Sequence, residues 1–353
     1  MNEFGDPLAN LNYLYGKPSA TAVFKQQPED FIVDEELGFE LDGSGEHVCL
    51  HIIKRGINTV ALAKRIAKLA KTSPKNVSFA GQKDRQGVCS QWFSVPVPVK
   101  TNIDFSALND EQVFVAKQVR HGRKLRTGCH RGNRFTITLR DVSNPLDVLS
   151  RINAVRQGVP NYFGEQRFGH GGHNLTMAQR MFDGEVIRDR KLRSMVISAA
   201  RSYIFNAIVS LRVAEHGLAK TLRHEVFMLS GSNAFFNDAI TVENIRRLVE
   251  GDIELSAPLA GKGDKGLVDE EKNWLKPYQN WVEGLADIGL KTERRMLRLY
   301  PENLTVKMPN ETTIELGFSL KKGCFATAVL RELVDYRQNE RDLARSDDED
   351  SAE

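Results

Sequence analysis

Cysteine is scarce in this chain. There are four in 353 residues, Cys49, Cys89, Cys129 and Cys324, far apart and none in a CxxC pair. That spacing excludes a disulfide framework and a cysteine-based zinc site, so a reduced, cytoplasmic protein is the natural expectation. Long apolar runs are lacking as well. No stretch approaches the roughly 20 residues that span a bilayer, and no membrane partner is expected. The opening MNEFGDPLAN has neither a basic nor an apolar region, which excludes a secretory signal. Signatures of cofactor chemistry are absent too. Gly261-Lys262-Gly263 has no GxxxxGK[ST] frame, no GxGxxG follows a strand, and there is no GxSxG. His47 and His51 stand four apart in a strand-like run rather than as HExxH on a helix. Gly169-His170-Gly171-Gly172-His173 has no carboxylate or cysteine beside it, and turns with positive φ explain its glycines without a metal.

Charged residues at 27% and hydrophobic ones at 41% mark a globular chain, long enough for two domains. The net charge of +3 hides an asymmetry. Lys117 to Arg140 holds eight Lys or Arg and no Asp or Glu, whereas the terminal RSDDEDSAE is acidic and reads as disordered. A basic body with one focused stripe suits a polyanion. A solvated charged surface is the bland alternative.

The first third alternates strands and helices. FIVDEEL (31–37) and HVCLHIIKR (47–55) read as strands. Asn58-Thr59 caps a helix to about Lys71, with Leu62, Ile66 and Leu69 on one face and Lys64, Lys68 and Lys71 on the other. Residues 76–97 read as two β-runs joined by a polar connection, and RFTITLR (134–140) as a strand. A helix opens at Pro145, and residues 159–173 form a glycine- and aromatic-rich loop. Helical periodicity dominates from about 175 to 300, best in Val196, Ala200, Ile204, Ala207, Ile208 and Leu211. AGKGDKG (260–266) reads as a flexible exposed loop. Strands return after Pro301, with Pro309-Asn310 as their turn, and a last helix runs from near Phe325 to about Arg337. The order is mixed α/β, then mostly helical, then strand and helix again. It predicts a domain at roughly 160–300 inserted into a discontinuous core.

Gly81-Gln82-Lys83-Asp84-Arg85 carries the most chemical information. Flanking cations would hold Asp84 ionised, ready to act as nucleophile or base in an RNA-facing cleft. On local sequence alone a turn aspartate between two strands outweighs that reading. The basic stripe interleaves Arg and Lys with His121, His130, Asn133 and Phe135, the mixture that holds phosphates and an unstacked base. A charged hairpin surface is its ordinary alternative.

Four stretches together decide between these readings. FKQQPEDFIVDE (24–35), VSFAGQKDRQGVCSQW (77–92), RGNRFTITLR (131–140) with VPNYFGEQRFG (159–169), and GCFATAVLREL (323–333) occur in that order. With them the chain resembles the TruD family, the tRNA pseudouridine-13 synthases, from about Phe24 to Leu333. The resemblance implies an α/β (α+β) fold: a mixed-sheet catalytic core over 1–158 and 301–341, interrupted by a family-specific domain over 159–300. Residues 342–353 remain as the acidic tail. It implies catalysis by Asp84, substrate contacts at Phe31, Asn133 and Phe325, Phe135 packing on the target uracil, and Lys25 as a basic residue near the carboxylate. It implies tRNA as partner, with no metal or organic cofactor, and a monomer is expected. One departure is local: the family pattern has Ala-Val-Thr after the catalytic turn, where this chain has Gly87-Val88-Cys89. A non-catalytic RNA-binding module or RNA chaperone would share the stripe without needing Asp84. A metal-dependent nuclease would cleave RNA and be stopped by a chelator.

Overall fold

Strict alternation over Val48, Leu50 and Ile52 sends three fully or nearly fully buried side chains to one face of a strand, because successive strand residues point to opposite faces. That face is covered by a helix presenting Leu62, Ala63, Ile66 and Ala67, and Phe93, Val95 and Phe105 complete the cluster. Asn58 Oδ1 accepts from the Ala61 backbone N–H at 2.7 Å, so the predicted cap is present. Lys64, Lys68 and Lys71 lie on the exposed side, as the periodicity predicts.

The computed structural model describes residues 4–264 and 266–338, so the acidic tail expected over 342–353 lies outside the described residues. The chain runs through β1 (Thr21–Phe24), β2 (Phe31–Glu36), β3 (His47–Arg55), α1 (Thr59–Leu69), β4 (Ser78–Phe79), β5 (Val88–Pro96), β6 (Val113–His121) and β7 (Gly132–Arg140). After α2 (Pro145–Arg156) come β8 (Val159–Pro160), α3 (His173–Phe182), α4 (Arg190–His216), β9 (His224–Leu229), β10 (Phe235–Ala239), α5 (Val242–Val249) and β11 (Ile253–Leu259). Then follow α6 (Asp269–Leu275), α7 (Gln279–Asp287), β12 (Glu293–Met296), β13 (Arg298–Leu299), β14 (Glu302–Asn310), β15 (Thr313–Lys321), α8 (Ala326–Leu333) and β16 (Asp335–Gln338).

Contacts group these elements into two units. Among the described residues, the strand unit comprises 19–150, 301–323 and 334–338. Its sheet has the order β14-β15-β7-β2-β5-β3-β6, with β1, β4 and β16 at its margins. The sheet is mixed, since β2–β5 and β1–β16 pair in parallel and the other pairs are antiparallel. The basic stripe is not a hairpin. β6 pairs with β3, whereas β7 pairs with β1, β2 and β15. The 122–131 connection therefore links strands at different places in the sheet.

Among the described residues, the other unit comprises 4–18, 151–300 and 324–333. Residues 4–18 and 324–333 contact this unit. Arg151 donates to the carbonyls of Gly16 and Lys17, and Glu332 accepts from the Leu14 and Tyr15 backbone N–H groups. Composition missed its four-stranded sheet, β10-β9-β11-β12. By length and composition α4 could cross a membrane, but it is the core helix here, with Val196, Ala199, Ala200, Ile204, Phe205, Ile208 and Val209 all buried.

Three further expectations are corrected. The last helix ends at Leu333, and 335–338 form β16 against β1. The β14–β15 turn falls on Glu311-Thr312 rather than Pro309-Asn310, since Asn310 still pairs with Thr313. The 260–266 loop is partly pinned: Lys262 N donates to Leu290 O, and Thr292 Oγ1 to the carbonyls of Gly261 and Gly263.

Candidate active site

Within the strand unit, Phe31, Val33 and Glu35 alternate onto one face of β2 and stand opposite Ile137, Phe135 and Asn133 of β7. The Phe31 and Phe135 rings lie 6.0 Å apart, and Phe318 packs on Phe135 at 5.6 Å. Parallel pairing of Ile32 with Val88 sets the 80–87 turn beside this face. Asp84 belongs to that turn, and 14% of its side chain is exposed, so a ligand can reach it.

Lys25 is in contact with Asp84, its Nζ binding Oδ2. Oδ1 accepts from the Gln86 N–H at 2.9 Å, which fixes the carboxylate plane. Lys25 Nζ also sits 4.2 Å from the centre of the Phe31 ring. Lys25 has φ +57°, a left-handed conformation that costs a non-glycine residue roughly 1–2 kcal/mol. The ion pair and the ring contact offset that cost. Lys83 does not serve this carboxylate: its Nζ binds Glu35 Oε2, and the other Glu35 oxygen accepts from the Trp92 N–H at 3.0 Å. Arg85 Nε donates to Gly56 O at 3.2 Å.

Lys54 is the site residue that sequence reading missed. It continues the Val48, Leu50, Ile52 row and is fully buried. Its ammonium donates to Asp84 O at 2.6 Å, Ile57 O at 2.9 Å and Lys83 O at 3.4 Å. A buried ammonium without a carboxylate is costly unless hydrogen bonds satisfy it, and here the backbone carbonyls of Ile57, Lys83 and Asp84 do so. Burial lowers its pKa, the nearby Asp84 and Cys89 acting the other way. The signal was available: a lysine in register with three core residues of a strand. On the turn's other flank a Cβ at Gly81 would lie 3.5 Å from the His130 ring, and burial, with Lys83 and Lys322 nearby, pushes the His130 pKa down to about 4.

Thus Lys25, Phe31, Asp84, Asn133 and Phe135 belong to one unit and, apart from the Asp84 turn and Lys25, to one sheet face. Asn133 Oδ1 is buried and without a hydrogen-bond partner among the described residues. Phe325 belongs to the other unit, where its ring packs on Phe163 at 5.7 Å and the Arg167 guanidinium carbon lies 5.8 Å away. Gly164 makes that packing possible, since a Cβ there would lie 2.6 Å from Thr327 Oγ1 and 3.2 Å from the Phe325 ring. Gly169, Gly171 and Gly172 all have positive φ, the structural role expected of them.

The family model described as tRNA pseudouridine synthase D (TruD) matches residues 8–188 and 185–333. The chain belongs to the TruD family. It is 64% identical over 346 residues to the tRNA pseudouridine synthase D of Pseudoalteromonas translucida, covering 97% of this chain and 99% of that one. To the Shewanella oneidensis protein of the same name it is 45% identical over 339 residues, covering 94% and 90%. The crystal structure of a putative TruD from Methanosarcina mazei shares the fold, with a TM-score of 0.71 over 94% of this chain and 98% of that one at 21% identity.

The departure from the TruD pattern after the turn has a local cause. A Cβ at Gly87 would lie 2.5 Å from Phe31 O, so alanine there requires β2 to shift. Cys89, where the TruD pattern has threonine, points its Sγ at Asp84 O, 3.4 Å away, and burial pushes the thiol up to about 11. It is a weak donor in the place of a hydroxyl.

Lys54 yields a test in this TruD chain. Lys54→Met keeps the volume but takes the ammonium from the Ile57 carbonyl and leaves the Asp84 carbonyl with only the weak Cys89 thiol. We expect stability to fall by about 2–4 kcal/mol in urea unfolding, and kcat to fall about 10–100-fold as the turn loosens. The Kd for tRNA should change little. A variant with wild-type kcat would remove Lys54 from any role in positioning Asp84.

Proposed function

We propose that this protein is a tRNA pseudouridine synthase that isomerises the uridine at position 13, with the Asp84 carboxylate as the reacting group. The observation that carries this is the Lys25–Asp84 pair beside the Phe31 and Phe135 rings, in the stretch that matches the TruD pattern. An ionised carboxylate at the edge of an aromatic surface supplies what the reaction needs: a nucleophile or base, and a flat apolar wall for a pyrimidine.

The target base leaves the RNA stack to be reached. Asp84 then assists cleavage of the N1 glycosidic bond, by covalent attack or by removing a ribose proton. The uracil turns and rejoins the ribose through C5, releasing the C5 proton. Phe31 and Phe135 retain the base, and Asn133, whose Oδ1 has no partner among the described residues, gives it a directional hydrogen bond. One C–N bond is exchanged for one C–C bond, with no net redox change and no water consumed. The chemistry therefore calls for no organic cofactor.

The test is a pseudouridine map of a tRNA transcript incubated with the pure protein. A single new pseudouridine at position 13 is expected, insensitive to chelator, and absent when uridine-13 is replaced by cytidine. RNA that is bound but unmodified would leave only an RNA-binding module. Shortened RNA would point to a nuclease.

A further inference from the structure

The 122–131 connection carries a second basic feature. Its first part, with Phe39, Asp42 and His47, lines a cleft of about 740 Å³. Arg123, Lys124 and Arg126 are exposed there, and none of the three is in an ion pair among the described residues. The acid in the cleft is already committed. Asp42 Oδ2 lies 2.8 Å from His121 Nδ1 and accepts from the Gly122 N–H at 2.9 Å.

A solvated loop would be free to move, and this one is held. Leu125, between the cations, is buried with Leu37 and Cys49, and its N–H donates to Ser94 Oγ at 3.0 Å. Gly128 N donates to Ala80 O at 2.6 Å. Across the cleft the 42–46 segment is locked to the loop's start: a Cβ at Gly45 would lie 2.5 Å from Gly122 Cα. Three uncommitted cations are thus displayed at fixed positions, which lowers the entropic cost of binding a polyanion. Beside them Phe39 is 41% exposed, its ring 6.0 Å from the His121 ring and tilted by only 30°. An exposed ring next to fixed cations is how proteins take a base and its phosphates together. The volume lies within the range of small-ligand pockets.

We propose that this cleft holds an unpaired nucleotide of the RNA substrate, its phosphates on Arg123, Lys124 and Arg126 and its base against Phe39. The proposal rests on RNA being the substrate. The nucleotide is not the reacting uridine. At the His47 end the cleft is seven residues from Lys54, which grips the Asp84 turn, roughly 23 Å of extended strand; its other end lies nearer, where Gly128 N donates to Ala80 O. The cleft is a grip on RNA separate from the chemistry.

The experiment measures the Kd of the full-length protein for tRNA across a potassium chloride series, beside pseudouridine formation by the wild type. Arg123→Ala/Lys124→Ala/Arg126→Ala should bind about 10–100-fold more weakly, and its salt slope should fall by about 2–3. Phe39→Ala should weaken binding about 5–20-fold with the slope unchanged, as loss of stacking without loss of charge requires. All four side chains are exposed or nearly half exposed, so an unchanged melting temperature is the folding control. A triple variant with the wild-type slope, or Phe39→Ala with wild-type affinity, overturns the proposal. If these binding effects appear but the wild type makes no pseudouridine, the cleft stands as an RNA site and the activity reading falls.

Discussion

Asp84→Asn is expected to lower pseudouridine formation by at least about a thousandfold in single-turnover assays, since it removes the charge that attack or proton abstraction needs. The amide is nearly isosteric, and its oxygen can still accept from the Gln86 N–H, so the turn should persist. Binding of tRNA should stay within about threefold, because phosphate contacts carry most of the affinity. Asp84→Glu supplies a second reading. It keeps the charge but moves it past Lys25, and a misplacement of about 1 Å can cost a hundredfold. Robust turnover by the asparagine variant would end the assignment of Asp84.

The largest expected effect on stability lies in the other unit. Arg294 is buried and embraces Glu271, with donor–acceptor distances of 2.7 and 2.8 Å. Its remaining donors reach Ser256 Oγ at 2.9 Å, Ser256 O at 2.6 Å and Gly266 O at 2.9 Å. Arg294→Met strands the Glu271 carboxylate away from water and should cost about 3–5 kcal/mol. Adding Glu271→Gln removes the stranded charge and should recover a substantial part of the loss in urea unfolding. Equal stability of the single and double variants would mean that the stranded carboxylate is not the cause.

The strands and the first helix were legible because period-2 and period-3.6 patterns coincide with burial in β2, β3, β7 and α1. Asp84 was legible as a candidate through its neighbours in sequence, and one of them, Lys83, points elsewhere. Lys83 adjoins it in the chain yet turns to Glu35, and Lys25, far off in sequence, binds Asp84 Oδ2. Side chains adjacent in a turn diverge, whereas a residue far off in sequence can converge on the same point. Lys54 was hidden for the opposite reason. Charge normally marks a surface, and only its register with Val48, Leu50 and Ile52 revealed a buried one. The assignment of residues 4–18 and 324–333 could not be read from composition, since tertiary hydrogen bonds such as those of Arg151 and Glu332 decide it.

The strand bearing Asn133 and Phe135 is completed from both ends of the chain. Phe135 faces Val33 on one side and Phe318 on the other, and β1 closes against β16 near the C-terminal end of the described residues. During synthesis, the strand unit therefore waits for its last strands while everything between them emerges first. Its hydrophobic edges stay unpaired over that interval, a window for misfolding that chains with local contacts do not have. Ribosome-stalled chains ending before residue 313 should accordingly lack protease resistance in the strand unit, and gain it only once β15 and β16 have cleared the exit tunnel.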